Sequence, residues 1–220
     1  MGAEIAEWVV PFFAVWILPR ATIRRIVDTH PDRLVVAIAW ILGALVALTF
    51  EVQVNAGVLP MSVPVWFTTM GPVTLAMTIF SSGVAAIGLV YFLAIVYVSA
   101  GRALGGIADL ADVRSAIAWG WVPMILLTLV AMTAAIFTPV ASEWDKGPTT
   151  LIDRISVWNV VEAAIAIWAF AVSVQTLAEV HRFSAWRALR LKGMGALAIS
   201  LVSLGVFIIM TLVTLTLSII

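Results

Sequence analysis

Cysteine is missing from this 220-residue chain. Its absence excludes disulfides, thiolate metal sites and cysteine nucleophiles. Charge is scarce as well: 11% of residues are Asp, Glu, Lys or Arg, where soluble domains carry about 25%. The residues that replace them are apolar, 63% of the total. A water-soluble fold of this size cannot hide that much, because it leaves about a quarter or more of its unfolded area exposed. Net charge is zero, so nothing argues for nucleic acid as a partner. Only two histidines occur, and neither has a serine nucleophile beside it in sequence, so a hydrolase reading has no support. Both are expected on one side of the membrane, which argues against bis-histidine haem ligation across a span. The stretch "GRALGG" lacks the Lys-Ser/Thr of a phosphate loop. No cofactor is expected.

What is present is a series of long apolar runs. A helix needs roughly 20 apolar residues to cross about 30 Å of hydrocarbon. Five stretches qualify: Leu34–Phe50, Val73–Val98, Ile117–Phe137, Val157–Leu177 and Met194–Ile220. They are continuous rather than alternating, which favours helices over barrel strands. The expected fold is an all-α, polytopic integral membrane protein with a five-helix domain over residues 34–220. Residues 1–33 form an N-terminal cytosolic or interfacial segment, because the apolar patch Trp8–Leu18 is too short to span and is bracketed by Pro11 and Pro19. Glu4 and Glu7 stand where a secretory signal would carry basic residues. Pro123 is expected to kink the third helix or mark its true start. No internal repeat of 20–50 residues is evident, which weakens an inverted-repeat transporter reading.

Basic residues alternate between connections. Arg20, Arg24, Arg25 and Arg33 precede the first span, and none lies between Glu51 and Pro72. Arg102 and Arg114 follow the second span, Lys146 and Arg154 the third, and Arg182, Arg187, Arg190 and Lys192 the fourth. Of the 12 basic residues, all but Lys146 and Arg154 fall on one side. The positive-inside rule then predicts a cytosolic N-terminus and an external C-terminus. Arg20, Arg24, Arg25, Arg182, Arg187, Arg190 and Lys192 read as anchors at an anionic membrane surface. Trp66, Trp144 and Trp158 are expected at the outer boundary, and Trp119, Trp121 and Trp186 at the inner one.

Three segments resemble a known family. "RALGGIADLADVRSAIAWGWVP" is similar to the Gly-Gly, acidic, Trp-x-x-Pro segment that opens the third span of Yip-domain (Ypt/Rab-interacting) membrane proteins. "LAEVHRFSAWRALR" resembles the segment between the fourth and fifth spans of its bacterial members, and "WILPRATIRRIVDTHPDR" the family's N-terminal approach. The resemblance implies a multi-pass protein of the bacterial inner membrane with no known catalytic machinery. It points to Gly105, Gly106, Asp109, Trp121, Pro123, Glu179, His181, Phe183 and Trp186. The Rab-linked traffic role of the eukaryotic branch is not carried over.

The remaining chemistry is sparse. Asp28, His30, Asp32, Asp109, Asp112, Glu179 and His181 are expected on the cytosolic face. An ion-paired cap explains them best; the minor alternatives are a divalent-metal site, with His30, Asp109 and His181 as candidates, and a proton relay. Glu162 is the one carboxylate inside a span, with Asn159 a turn earlier, and an intramembrane carboxylate is a functional-site hypothesis by default. Polar or small residues share a face in three spans: Thr74, Thr78, Ser81, Ser82 and Ala85; Asn159, Glu162, Ala169, Ser173 and Thr176; and Ser200, Ser203, Thr211, Thr214 and Ser218. Helix–helix packing accounts for them most simply. The leading functional expectation is therefore a non-catalytic structural, assembly or membrane-organising protein. Its partners would be the lipid bilayer, other membrane proteins or a second copy. The alternative is a small-solute, ion or proton-coupled permease using Glu162 and the polar faces of spans two, four and five.

Overall fold

A computed structural model describes residues 2–32, 34–55, 71–137 and 157–219. They form eight helices: α1 (Gly2–Ile17), α2 (Pro19–Thr29), α3 (Val35–Asn55), α4 (Pro72–Ala103), α5 (Leu110–Gly120), α6 (Val122–Phe137), α7 (Val157–Val180) and α8 (Ala185–Ile219). No strand occurs among the described residues. Five stretches are long and apolar enough to cross a membrane: Val35–Val54, Pro72–Ala103, Leu110–Phe137, Val157–Val180 and Ala185–Ile209.

The third of these contains a break. Pro123 has no N–H to donate and its ring crowds the preceding turn, so the helix gives way just upstream. The break falls at Trp121, whose φ of −90° and ψ of −9° separate α5 from α6. Helices also outrun the apolar windows. α5 begins at Leu110 and α8 at Ala185, seven and nine residues before the expected spans. Charged residues end a hydrophobic run, but they do not stop backbone hydrogen bonding. With 32 and 35 residues, α4 and α8 reach about 48 and 52 Å, well beyond the hydrocarbon thickness.

The N-terminal segment is helical and docked. Leu18 interrupts it with φ −127° and ψ 58°, and Pro19 opens α2, where a missing N–H costs nothing. Val15, Ile23 and Ile26 belong to the same buried core as Ile38, Leu93 and Trp119. Phe12 meets Trp119 with ring centroids 5.0 Å apart. Trp119, expected at the inner boundary, is fully buried in this core. Trp66 and Trp144 lie outside the described residues.

Small residues set the helix spacing, as expected where lipid gives no hydrophobic drive between helices. Gly43 of α3 faces the Ser82 backbone and the Ala86 methyl of α4, and Gly83 of α4 faces the Trp40 indole. Thr176 of α7, fully buried, donates to the Ala116 carbonyl of α5 at 2.9 Å. Thr176→Val should therefore cost about 1 kcal/mol, measured by denaturant unfolding in a fixed micelle.

The core is lopsided. Buried residues gather where α3 and α5 begin, α4 and α7 end and α8 begins, the end that also carries Arg102, Arg114 and Arg182. The opposite half shows large apolar side chains outward, such as Met77, Phe80, Ile136, Val160 and Phe207.

Candidate functional site

The short connections at the packed end position the residues singled out from sequence. α4 stops because Gly105 turns left-handed, with φ 85°. Gly105 N donates to Arg102 O at 3.0 Å and Gly106 N to Gly101 O at 2.8 Å, a Schellman cap. α7 ends the same way with an arginine in the left-handed position, Arg182 at φ 54°. Arg182 N donates to Glu179 O at 3.0 Å and Phe183 N to Ala178 O at 2.7 Å.

The two caps interlock through His181. Its ring is 1% exposed and stacks on Phe183, with centroids 5.1 Å apart and planes 16° apart. Gly101 and Gly106 present bare backbone to it: a Cβ on Gly106 would sit 2.5 Å from its Nδ1. Neither ring nitrogen has a hydrogen-bond partner among the described residues. Two helix C-termini point their negative ends this way, which favours a cation by up to about 2 kcal/mol. Burying an unpaired charge costs more. Burial therefore wins, and pushes the His181 pKa down from 6.5 to about 4. His181 is a neutral imidazole at physiological pH.

Gly106, His181 and Phe183 thus form one cluster from two connections, joined by Gly101, which sequence reasoning missed, while Gly105 sets the turn without touching the ring. Asp109 stands beside it as the N-cap of α5, accepting from Asp112 N at 2.9 Å. Trp121 and Pro123 lie at the α5–α6 break, and Trp186 is exposed on α8. His30 is the exposed C-cap of α2. Among the described residues no three His, Asp or Glu side chains are grouped to hold a metal, so His30, Asp109 and His181 do not converge on such a centre.

Pairing dominates the remaining charges. Glu179 pairs with Arg24, and Gln175 accepts from Arg20 Nε. Asp32 pairs with Arg114 at 2.7 Å, and that guanidinium lies 4.9 Å from the Tyr91 ring centroid. Arg25, Arg182, Arg187 and Arg190 are exposed. Lys192 turns inward instead: its Nζ lies 5.7 Å from the Phe170 ring centroid, and the side chain lines a small cavity with Tyr97 and Ser173. Arg187 and Arg190 lie on the same helix, so what separates Lys192 from them is the face of α8 it occupies, next to the fully buried Leu191.

Glu162 is half-buried and Asn159 exposed, both toward the start of α7, far from the His181 cluster. Several hydroxyls of the polar faces bond back to their own helices: Thr78 to Thr74 O at 3.0 Å, Ser173 to Phe170 O at 2.8 Å and Thr211 to Phe207 O at 2.8 Å. Ser200, Ser203, Thr211 and Thr214 are exposed on α8.

The family model of the Yip1 domain matches residues 13–213. No curated protein and no solved structure matches the chain. The match takes in every described helix at least in part, both interlocked caps and all five membrane-length stretches, and the chain belongs to the Yip1 domain family of multi-pass membrane proteins.

Proposed function

We propose that this protein organises other membrane components rather than transforming a substrate, as a non-catalytic assembly protein of the bacterial inner membrane with its N-terminus in the cytosol. The observation that carries this reading is α8. Of the five membrane-length stretches it buries least, and from Leu201 to Ile209 every residue but Gly205 is exposed. The packed end of the bundle holds one end of this helix, and the rest presents Ser200 and Ser203 beside Leu197, Leu204 and Phe207. A helix so presented suits association with a partner span, a second copy included, through small and hydroxyl residues.

The absence of cysteine makes a direct test simple. Ser203→Cys in native membranes should give an oxidative cross-link, to itself or to a discrete partner, whereas Met77→Cys on α4 should not. A Ser203→Cys protein that stays uncross-linked, and monomeric in mild detergent, removes the reading.

A permease is the second reading, favoured by the half-buried Glu162 inside a membrane-length helix. Reconstituted vesicles are expected to be tight across an ion panel, with Glu162→Gln indistinguishable from wild type. A flux that Glu162→Gln abolishes would put transport in place of assembly.

A further inference from the structure

α2 and α7 run side by side in the same direction, because Arg20 bonds Gln175 and Arg24 pairs with Glu179 at one common sequence separation of 155. Two clefts lie end to end along this seam and share Arg20 and Ala21. The first, about 430 Å³, is apolar and lined by Ile17, Leu18 and Trp168. These side chains are 78%, 61% and 49% exposed. The second, about 570 Å³, carries the charged side chains Arg20, Arg24 and Arg25 against Asp28 and Glu179. Three guanidinium groups face two carboxylates, so the cleft is left with a positive excess.

The order of the two clefts is set by α7. Trp168 precedes Glu179 by about 16 Å of helix rise. Glu179 stands next to the last residue of a membrane-length helix, hence near the headgroup level, and Trp168 lies inside the hydrocarbon. Apolar cleft below and basic cleft above is the layout of an acyl chain and its phosphate. Arg24 commits one donor to Glu179 and Arg20 commits its Nε to Gln175, while Arg25 has no side-chain partner among the described residues. A guanidinium offers five N–H donors, so most of the set remains free for phosphate oxygens.

We infer that the α2–α7 seam is a binding site for an anionic phospholipid, with its phosphate on Arg20, Arg24 and Arg25 and an acyl chain along Ile17, Leu18 and Trp168. The inference stands independently of what α8 contacts. A zwitterionic lipid has the same chains but brings a cation to the arginines, so headgroup charge is the discriminating variable.

The test is competitive retention. The full chain in neutral detergent is given equal phosphatidylglycerol and phosphatidylcholine with matched acyl chains, and bound lipid is counted by native mass spectrometry. Phosphatidylglycerol should be favoured about tenfold, the scale expected when two or so arginines meet an anionic headgroup. Arg25→Gln should reduce the preference and Arg20→Gln with Arg25→Gln should bring it near unity. Arg102→Gln, exposed elsewhere on the basic end, should leave it intact. Trp168→Ala should weaken retention of both lipids at an unchanged ratio. Equal retention by wild type, an unchanged preference in the double variant, or an equal loss in Arg102→Gln would each overturn the site. Inorganic phosphate at millimolar concentration should not displace the lipid; displacement would mean a site for free anions and would overturn the lipid assignment.

Discussion

Gly101→Ala and Gly106→Ala are each expected to destabilise the protein by about 2–3 kcal/mol, the upper part of the usual cost of overpacking. A methyl on Gly101 would run into the His181 ring, with both nitrogens at 2.8 Å. A methyl on Gly106 would lie 2.5 Å from His181 Nδ1, 2.8 Å from Phe183 Cζ and 3.0 Å from the Gly101 carbonyl oxygen. None of these atoms is the loose end of a long side chain. The ring is stacked, and the carbonyl is held by the Gly106 N–H. The sign is informative at Gly101, which lies in the last turn of α4: in an open helix, Gly→Ala would stabilise by about 1 kcal/mol. Unfolding in a fixed detergent checks both variants. Repeating Gly101→Ala in a His181→Ala background should recover most of the loss, because the methyl then enters the space the ring left. Gly105→Ala serves as the contrast. Its φ of 85° costs an alanine about 1 kcal/mol, and no atom lies within 4 Å of its Cβ, so the effect should add to that of His181→Ala without coupling.

The contrast between these glycines marks what the sequence discloses and what it does not. Gly105-Gly106 followed by Asp109 reads as a helix stop and a helix start, since the physics of capping is local. The five apolar stretches are legible for a similar reason: length and composition decide whether a segment can cross lipid. Gly101 is silent in sequence, because its significance lies in a ring 80 positions away. The same holds for Asp32 with Arg114 and for Arg24 with Glu179, whose pairing depends on which helices become neighbours. Trp119 and Lys192 show what a local rule leaves out. Each residue type is common at membrane boundaries, and each is turned inward here by the helix it sits on. The N-terminal stretch is the largest case. Pro11, Pro19 and a short apolar run argue against a span, but they do not reveal that α1 and α2 share the bundle's core.

Acid should loosen the protein through His181 over a defined window. The folded-state pKa is about 4 and the unfolded value about 6.5. Above pH ~6.5 the ring is neutral in both states and its contribution does not change with pH. Between ~6.5 and ~4 the unfolded chain binds a proton that the buried ring refuses, so stability falls by about 1.4 kcal/mol per pH unit. Below ~4 both states are protonated and the loss levels off, near 3 kcal/mol in all. Carboxylates elsewhere also titrate toward the acid end of that range, so the measurement is a comparison with His181→Asn and His181→Leu, which carry no proton there. Wild type should lose stability faster than either variant as pH drops from 6.5 to 4, and the curves should run parallel above 7. At neutral pH His181→Leu should be close to wild type, since it deletes two unsatisfied nitrogens while forfeiting the ring's stacking on Phe183. Parallel curves throughout would mean that the ring reaches water or a partner in solution. The interlocked caps would then not be the dry contact from which both this prediction and the glycine substitutions follow.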